Sequence, residues 1–206
     1  MAPLYKLTYF DGRGFAESAR FLFKYGNIDF EDIRIKRQDW PKMKNMLGTP
    51  FGQVPVMEHN GKQICQSAAI CRYLGKMVNL AGNNDWENLE IDSIVDTMND
   101  LRMKIMLVQW EQDAVKKREL KDTVLEEIVP YYLARLEALV EKNKGNLAVG
   151  RLTWADLYFV SMSPGFDAFI GGDTFAAYPN LKLLRDKVET LPGIKEWIEN
   201  RPNSDF

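Results

Sequence analysis

The sequence contains very little cysteine and histidine, the residues that build most zinc and disulfide sites: 2 cysteines and 1 histidine among 206 residues. One histidine cannot supply a His-rich zinc site, and two cysteines do not complete a four-cysteine site. A secreted fold held together by disulfides is also disfavoured at this length. Cys65 and Cys71 lie in apolar surroundings, so we expect two buried, reduced thiols and a cytoplasmic protein.

The chain also lacks an excess of basic residues and any long apolar run. Its 27 Lys and Arg residues are balanced by 29 Asp and Glu residues, which disfavours sequence-independent binding to nucleic acid. No stretch approaches the ~18 uncharged apolar residues of a membrane span, and Met1–Phe10 lacks the basic and apolar regions of a signal peptide. Hydrophobic residues make up 46% of the chain, which is enough for a substantial core.

The first part of the chain alternates strand and helix patterns. We predict, in order, a strand at Leu4–Phe10, a helix at Gly14–Tyr25, a strand at Phe30–Ile35, a helix from Asp39, a hairpin around Asn60–Gly61 and a helix capped by Ser67. Asn-Gly between two apolar runs is the strongest short hairpin signal. The resulting order, βαβαββα, implies a sheet covered by helices, in a domain that we place at residues 1–79.

Beyond a polar linker at residues 80–85, the sequence shows only helical periodicity, so we predict an all-helical domain at 86–206. One long helix should run from Asp85 to about Ala114. A second should run from about Glu119 to Lys142 and be kinked or split by Pro130. Further helices should open at Pro179 and Pro192. The predicted apolar stripe of the long helix consists of Leu89, Ile94, Val95, Met98, Leu101, Ile105 and Val108.

Thr153 and Asp156 have the spacing of a capping box, in which a hydroxyl and an acid three residues later each bond the other's backbone N–H. Aspartate stands here in place of the usual glutamate. The pair predicts a helix that begins at Thr153 and runs to about Met162, and it gives both residues a structural role.

The usual catalytic motifs are missing from the sequence. His59 lies beside the predicted hairpin turn, where we expect a solvated loop residue rather than the base of a Ser-His-Asp or Cys-His site. There is no P-loop, and Gly12-Arg13-Gly14 lacks the third glycine of a dinucleotide-binding fingerprint. Asp92, Asp96 and Asp100 share a helix face and could hold Mg²⁺ or Ca²⁺, but a solvated or interface stripe is the favoured interpretation.

Three features of the first domain suggest a ligand site. Tyr9 ends the first strand, where a side chain can face the ligand crevice of an α/β sheet, although a half-buried sheet tyrosine explains it equally well. A cis Val54–Pro55 bond would expose the Val54 backbone to an extended ligand, whereas a trans turn proline is the default. Gln66 and Ser67 stand at a helix N-terminus that suits a carboxylate, whereas plain helix capping is the simpler explanation.

Several stretches resemble a known family over essentially the whole chain. Resemblance to the cytosolic glutathione transferases runs through Leu4–Phe10, Pro50–Val56, Gln66–Leu74, Trp86–Asp92, Leu152–Tyr158 and Ile198–Pro202. The pattern is most similar to the sigma class, which includes insect and other invertebrate enzymes and the vertebrate haematopoietic prostaglandin D synthase. The resemblance implies a thioredoxin-like first domain, an all-helical second domain, a homodimer, and glutathione as co-substrate with neither a cofactor nor a metal.

The resemblance also implies how glutathione is held. The Tyr9 hydroxyl would stabilise its thiolate, and the Val54 backbone, next to a cis Pro55, would pair with the cysteinyl unit. Gln66 and Ser67 would hold the γ-glutamyl carboxylate. The remaining implied contacts are Trp40 and Lys44 at the glycine end, Gln53 beside them, and Asp100 reaching the γ-glutamyl ammonium from the neighbouring subunit.

The second-substrate pocket implied by the resemblance is mostly apolar. Its lining would consist of Phe10, Gly14, Phe15, Asn99, Arg102, Leu107, Tyr158, Gly165 and Phe206. Relatives similar to the prostaglandin synthase carry arginine where this chain has Phe15 and tryptophan where it has Leu107, so efficient prostaglandin D₂ synthesis is disfavoured. Gly48-Thr49 is an insertion relative to the family.

Three functions are therefore considered. The first is a transferase for small hydrophobic electrophiles such as lipid-peroxidation aldehydes and aryl halides, with a possible glutathione-dependent peroxidase activity. The second is a non-catalytic ligand carrier or crystallin-like protein, which need not retain Tyr9, Gln66, Ser67 and Asp100 together. The third is a prostaglandin isomerase.

Overall fold

A computed structural model describes residues 4–48 and 51–204 of the chain. Two compact units divide it: Met1–Leu80 together with Glu189–Phe206, and Ala81–Val188. The strands are β1 (Tyr5–Phe10), β2 (Phe30–Ile35), β3 (Val56–His59) and β4 (Lys62–Cys65). The helices are α1 (Glu17–Tyr25), α2 (Trp40–Met46), α3 (Ser67–Met77), α4 (Asp85–Trp110), α5 (Ala114–Thr123), α6 (Val129–Lys142), α7 (Trp154–Ile170), α8 (Pro179–Glu189) and α9 (Pro192–Asn200).

The first unit is built on a four-stranded mixed sheet in the order β2-β1-β3-β4. Strand β1 runs parallel to β2 and antiparallel to β3, and β3 pairs with β4 in a hairpin. Asn60 and Gly61 both have positive φ at its turn, as the Asn-Gly signal predicts. The predicted βαβαββα order of the thioredoxin-like domain is confirmed, and its fully buried core includes Leu7, Leu22 and Leu74.

Helix α9 packs with the first unit, although it comes at the end of the chain. It lies against α1 because Gly193 has no side chain: a Cβ there would collide with the carbonyl oxygen of Lys24. Trp197 and Arg201 both donate hydrogen bonds to Glu17. The last described residues are therefore attached to the sheet domain.

Helices α4–α8 account for most of the second unit, and two predicted boundaries are corrected there. The long helix ends at Trp110, and the next begins at Ala114 rather than Glu119, because the Asp113 carboxylate accepts hydrogen bonds from the first-turn N–H groups of Val115 and Lys116. Pro130 does split the following helix, since a π-helical turn, Val124–Ile128, separates α5 from α6.

The predicted apolar stripe of α4 needs one correction. Leu89 is 56% exposed and Ile94 is only half-buried, whereas Ile91 takes part in the core. Leu89 lies one turn from the exposed Trp86 and shares its solvent-facing side. The side chains of α4 that are buried are Ile91, Val95, Met98, Leu101, Ile105 and Val108.

Helix α7 continues to Ile170, eight residues beyond the predicted end at Met162. Pro164 lies inside it and cannot donate a hydrogen bond to the carbonyl oxygen of Val160. The Ser163 hydroxyl donates to that oxygen instead, over 2.8 Å, so the helix passes the proline. Among the described residues, no helix has the length and apolar character needed to cross a membrane.

Candidate functional site

The Tyr9 hydroxyl lies on the turn that follows β1. Its oxygen accepts a hydrogen bond from the backbone N–H of Phe15 over 3.1 Å, and the side chain is 6% exposed. Gly14 allows this approach: its φ is +42°, and a Cβ there would stand 2.5 Å from the Tyr9 oxygen. Because the contact uses an oxygen lone pair, the hydroxyl hydrogen can be donated to a ligand.

Aromatic side chains connect Tyr9 with helix α2. The Phe10 ring meets the Tyr9 ring edge-on at 5.5 Å and the Trp40 ring edge-on at 5.3 Å. The Arg37 guanidinium lies 5.4 Å from the centre of the Phe10 ring. Trp40, the first residue of α2, is thereby held near the end of β1.

Lys44 is exposed on α2, and its aliphatic stem lies over Gly52. Gly52 has a φ of +53°, and a Cβ there would stand 2.8 Å from Lys44 Cε. The loop before β3 thus passes directly under the lysine stem. Lys44 can present a cation beside this loop while its stem is packed.

The sheet register brings the ends of three strands together. Val56 pairs with Thr8 on one side and with Cys65 on the other. Tyr9 follows Thr8, Val54 precedes Val56 by two residues, and Gln66 follows Cys65. These three predicted site residues therefore lie at the same end of the sheet, where β1 and β4 end and β3 begins.

The Val54–Pro55 peptide bond is cis. Val54 lies outside the β1–β3 ladder, whose last pair is Thr8 with Val56, and it is half-buried while Pro55 is buried. The backbone of Val54 is therefore placed where an extended ligand could add to the edge of the sheet.

The sequence predicted Ser67 as the N-cap of α3, but Ser67 is the first residue of that helix. Gln66 occupies the cap position with a φ of 83°, and its carbonyl oxygen accepts the hydrogen bond from the Ile70 N–H. The Gln66 amide instead donates to the Gln53 side chain over 3.3 Å. The N–H groups of the first turn begin with Ser67. They have the arrangement found at helix N-termini that bind carboxylates.

The predicted site residues of the second unit lie on α4 and α7. Tyr158 is fully buried, and its hydroxyl donates to the Asn99 side chain over 2.7 Å, so it orients that amide. Arg102 is half-buried, whereas the remaining members of the set, Asp100, Leu107 and Gly165, are exposed. Contact of these residues with a second substrate stays a prediction. Phe206, the last predicted lining residue, and Thr49, half of the inserted pair, lie outside the described residues.

Tyr132 and Asp156 are among the ionisable groups of the second unit whose pKa values are perturbed. Burial raises the pKa of Tyr132, and the nearby negative charge of Asp100 raises it further. Burial raises the pKa of Asp156 from 3.8 to about 6, although the N–H groups of Leu147 and Thr153 bond its carboxylate. The capping box of Thr153 and Asp156 is present.

His59 is not the solvated loop residue that its position suggested. It ends β3, where its ring stacks on Tyr5 at 4.2 Å and Nδ1 lies 3.3 Å from the Tyr73 hydroxyl. Burial, followed by the effect of Tyr73, raises the pKa of Tyr5 to about 12. The described residues contain no group of three or more His, Cys, Asp or Glu side chains that could hold a metal ion.

The sequence did not identify the backbone partner of Tyr9. Phe15 was selected only for its side chain as a pocket residue, whereas its N–H is the group that bonds the Tyr9 hydroxyl. The available signal was Gly14, because a glycine between a strand end and a helix allows close approach of the backbone.

Comparison with known proteins gives consistent matches over both parts of the chain. The model of the glutathione S-transferase N-terminal domain matches residues 5–76, and that of the C-terminal domain matches residues 99–201. Glutathione S-transferase S1 of Drosophila melanogaster is 44% identical over 199 residues, covering 96% of this chain and 79% of the relative. The hematopoietic prostaglandin D synthase of Homo sapiens is 38% identical over 205 residues, covering 98% of each.

Among solved structures, prostaglandin synthase D of Nilaparvata lugens superposes with a TM-score of 0.94 at 46% identity. The match covers 98% of this chain and 100% of that one.

Proposed function

Because the chain belongs to the glutathione S-transferase family, we propose that it conjugates reduced glutathione to small hydrophobic electrophiles through a thiolate stabilised by Tyr9. The observation that carries the proposal is the Tyr9 hydroxyl itself. It is fixed at the end of β1 by the Phe15 N–H, with its own hydrogen left to donate.

The chemistry requires ionisation of the glutathione sulfur. A free thiol has a pKa of about 8.5, so only a small fraction is thiolate at neutral pH, and the thiolate is the nucleophile. A hydroxyl that donates to the sulfur stabilises the charged form and lowers this pKa. The thiolate then attacks the electrophilic carbon and a C–S bond forms. An aryl halide loses its halide ion, whereas the C=C π bond of an unsaturated aldehyde opens and its α-carbon takes a proton from water.

We propose that the rest of glutathione binds at the end of the sheet where Tyr9, Val54 and Gln66 lie. In this proposal the Val54 backbone pairs with the cysteinyl unit, and the N-terminus of α3, with Gln66 and Ser67, holds the γ-glutamyl carboxylate. Lys44 and Trp40 bind the glycine end, with Gln53 beside them. The contact between Gln66 and Gln53 supports this arrangement, since it joins two of these groups.

We also propose a homodimer in which Asp100 reaches the γ-glutamyl ammonium of the neighbouring subunit. Asp100 is exposed, and apolar side chains of the sheet domain are exposed as well, including Phe51 at 72% and Ile64 at 52%. Sedimentation should give twice the chain mass. Asp100→Ala should raise the Michaelis constant for glutathione without unfolding the protein, and an unchanged value would remove Asp100 from the site.

The proposed electrophiles are lipid-peroxidation aldehydes and aryl halides, and organic hydroperoxides are proposed as substrates of a peroxidase activity. In this proposal the protein is a cytoplasmic, sigma-class enzyme that acts in detoxification and oxidative stress. The apolar Phe15 and Leu107 suit such substrates, and two buried cysteine thiols outside any disulfide suit a reducing compartment.

A prostaglandin isomerase is the second candidate, favoured by the similarity to the Nilaparvata lugens protein of that name. Phe15 and Leu107 argue against it, because they replace a cation and a large stacking surface.

One assay panel tests the proposal: turnover of a chloronitrobenzene, an unsaturated aldehyde, a hydroperoxide and prostaglandin H₂, each with glutathione. We expect the first two to be conjugated. Fastest turnover of prostaglandin H₂ would support the isomerase instead. Glutathione binding with no turnover of any compound would support a ligand carrier or crystallin-like protein.

A further inference from the structure

A buried ion pair, Glu17 with Arg20, lies on α1 below the Tyr9 turn. Both side chains have 0% exposure, and Arg20 Nη1 donates to Glu17 Oε2 over 3.0 Å. Two buried charges of one pair are costly to desolvate, so such a pair is weak evidence for stability by itself. The other partners of this pair suggest a different use.

Arg20 holds the backbone of the turn between Tyr9 and α1. Its Nη1 group donates to the carbonyl oxygen of Gly12 over 2.6 Å and approaches that of Arg13 at 3.5 Å. Its Nε group donates to Asp32 on β2 over 3.0 Å, so the guanidinium itself is held on two sides. The same turn ends at Phe15, whose N–H bonds the Tyr9 hydroxyl.

Glu17 extends these contacts to the end of the chain. Its Oε1 atom accepts hydrogen bonds from Trp197 Nε1 over 2.8 Å and from Arg201 Nη1 over 2.7 Å. From the turn itself, Arg13 Nη2 donates to the carbonyl oxygen of Ser204 over 3.4 Å. A continuous set of polar contacts therefore runs from Arg201 through Glu17 and Arg20 to the turn that holds Tyr9.

We propose that Arg20 is a positioning residue for the Tyr9 hydroxyl, and that Glu17 makes this positioning depend on Trp197 and Arg201 at the end of the chain. The proposal rests on the proposed function, since it concerns the same hydroxyl.

Its physical basis is the hydrogen bond at the phenol oxygen. An N–H that donates to a hydroxyl oxygen polarises the O–H bond. The hydroxyl then donates a stronger hydrogen bond to its own acceptor. If Arg20 releases the Gly12 and Arg13 carbonyls, the peptide planes up to Phe15 can rotate. The Tyr9 hydroxyl then loses both its fixed direction and this polarisation.

The decisive variants lie at the far end of the contacts, away from glutathione. Arg201→Gln removes the charged, longer donor to Glu17 Oε1 and Trp197→Phe removes the second donor to that oxygen, while Arg20→Lys keeps the charge but loses the planar fork. Arg185→Gln is the matched control. The side chain of Arg185 is 13% exposed, against 16% for Arg201, and Arg185 pairs with Asp173 in the other unit.

The measurement is the pKa of the thiol of bound glutathione, titrated by the ultraviolet absorbance of the thiolate, together with kcat and the dissociation constant for glutathione. We expect Arg201→Gln and Trp197→Phe to raise the thiol pKa with unchanged glutathione affinity. Activity should fall at neutral pH and recover at alkaline pH, by roughly tenfold per pKa unit. Arg20→Lys should show the larger shift, and Arg185→Gln none.

The result depends on Tyr9, which gives a second test. In a Tyr9→Phe background, Arg201→Gln should add no further shift, because the hydroxyl on which it acts is gone. If Tyr9→Phe raises the thiol pKa but Arg201→Gln and Trp197→Phe leave it at the wild-type value, the positioning role is wrong and the proposed function stands. If wild-type protein does not lower the thiol pKa, the proposed function fails as well.

Discussion

The backbone N–H of Phe15 donates a hydrogen bond to the Tyr9 hydroxyl over 3.1 Å. This contact joins the end of a strand to the start of a helix through the main chain, so any residue other than proline at position 15 leaves the donor in place. The conformation of the turn, more than the identity of residue 15, therefore decides where the Tyr9 hydroxyl points.

Gly14→Ala should abolish most of the catalytic activity while lowering the free energy of unfolding only modestly. The new methyl group would stand 2.5 Å from the Tyr9 oxygen and displace the hydroxyl. Gly61→Ala is the control, because Gly61 also has a positive φ, +74°, but nothing lies within 4 Å of an added Cβ. Both variants should lose about 1–2 kcal/mol in denaturant unfolding, and only Gly14→Ala should lose most of kcat. Equal activity of the two would show that the close approach is unimportant.

Lys44→Gln should weaken glutathione binding by removing the proposed cation for the glycine carboxylate. An exposed ion pair is worth up to about 1 kcal/mol, so we expect the Michaelis constant for glutathione to rise roughly two- to fivefold, and less at high salt. Lys42→Gln, also exposed on α2, should change it little. Matching effects of the two variants would indicate a general charge effect instead.

Asp156→Ala should be strongly destabilising. The carboxylate accepts hydrogen bonds from the N–H groups of Leu147 and Thr153, both at 2.7 Å, and is fully buried. Leaving two buried donors unpaired costs roughly 3 kcal/mol or more, read as a lower denaturant midpoint. Glu199→Ala, at an exposed residue of α9, should leave the midpoint nearly unchanged.

The raised pKa of Asp156 also predicts a pH dependence of stability. Between 3.8 and about 6 the folded protein holds a proton that the unfolded chain has lost, so this group lowers the free energy of unfolding as pH rises through that window. Above about pH 6 its contribution is constant. The difference in unfolding free energy between wild type and Asp156→Asn should therefore fall by roughly 3 kcal/mol across the window. A difference that does not vary with pH would contradict the raised pKa.

The sequence predicted the sheet domain well because local signals agree with the tertiary structure there. Asn60–Gly61 specifies its hairpin without help from other elements, and the strand Phe30–Ile35 was located to the residue. Prediction failed where a side chain replaces a missing backbone group. The helix that starts at Trp154 was expected to end near Met162, yet it passes Pro164, because the Ser163 hydroxyl bonds the Val160 carbonyl oxygen that the proline cannot reach with an N–H.

Sequence reasoning found the candidate site residues only in part, for a similar reason. Tyr9, Val54 and Gln66 could be chosen because each stands at a strand or helix end. The role of the Phe15 N–H could not, since a main-chain donor leaves no residue type to recognise. The links from Glu17 to Trp197 and Arg201 join residues about 180 positions apart, with separations of 180 and 184, which no local pattern encodes.

The pKa of the thiol of bound glutathione, compared between wild type and Tyr9→Phe, tests the central claim most directly. We predict a thiol pKa clearly below the ~8.5 of a free thiol in wild type. In Tyr9→Phe it should return towards that value, with glutathione still bound and turnover lowered by roughly 10²-fold. An unchanged thiol pKa in Tyr9→Phe would contradict the account, because the thiolate would then be stabilised by another group.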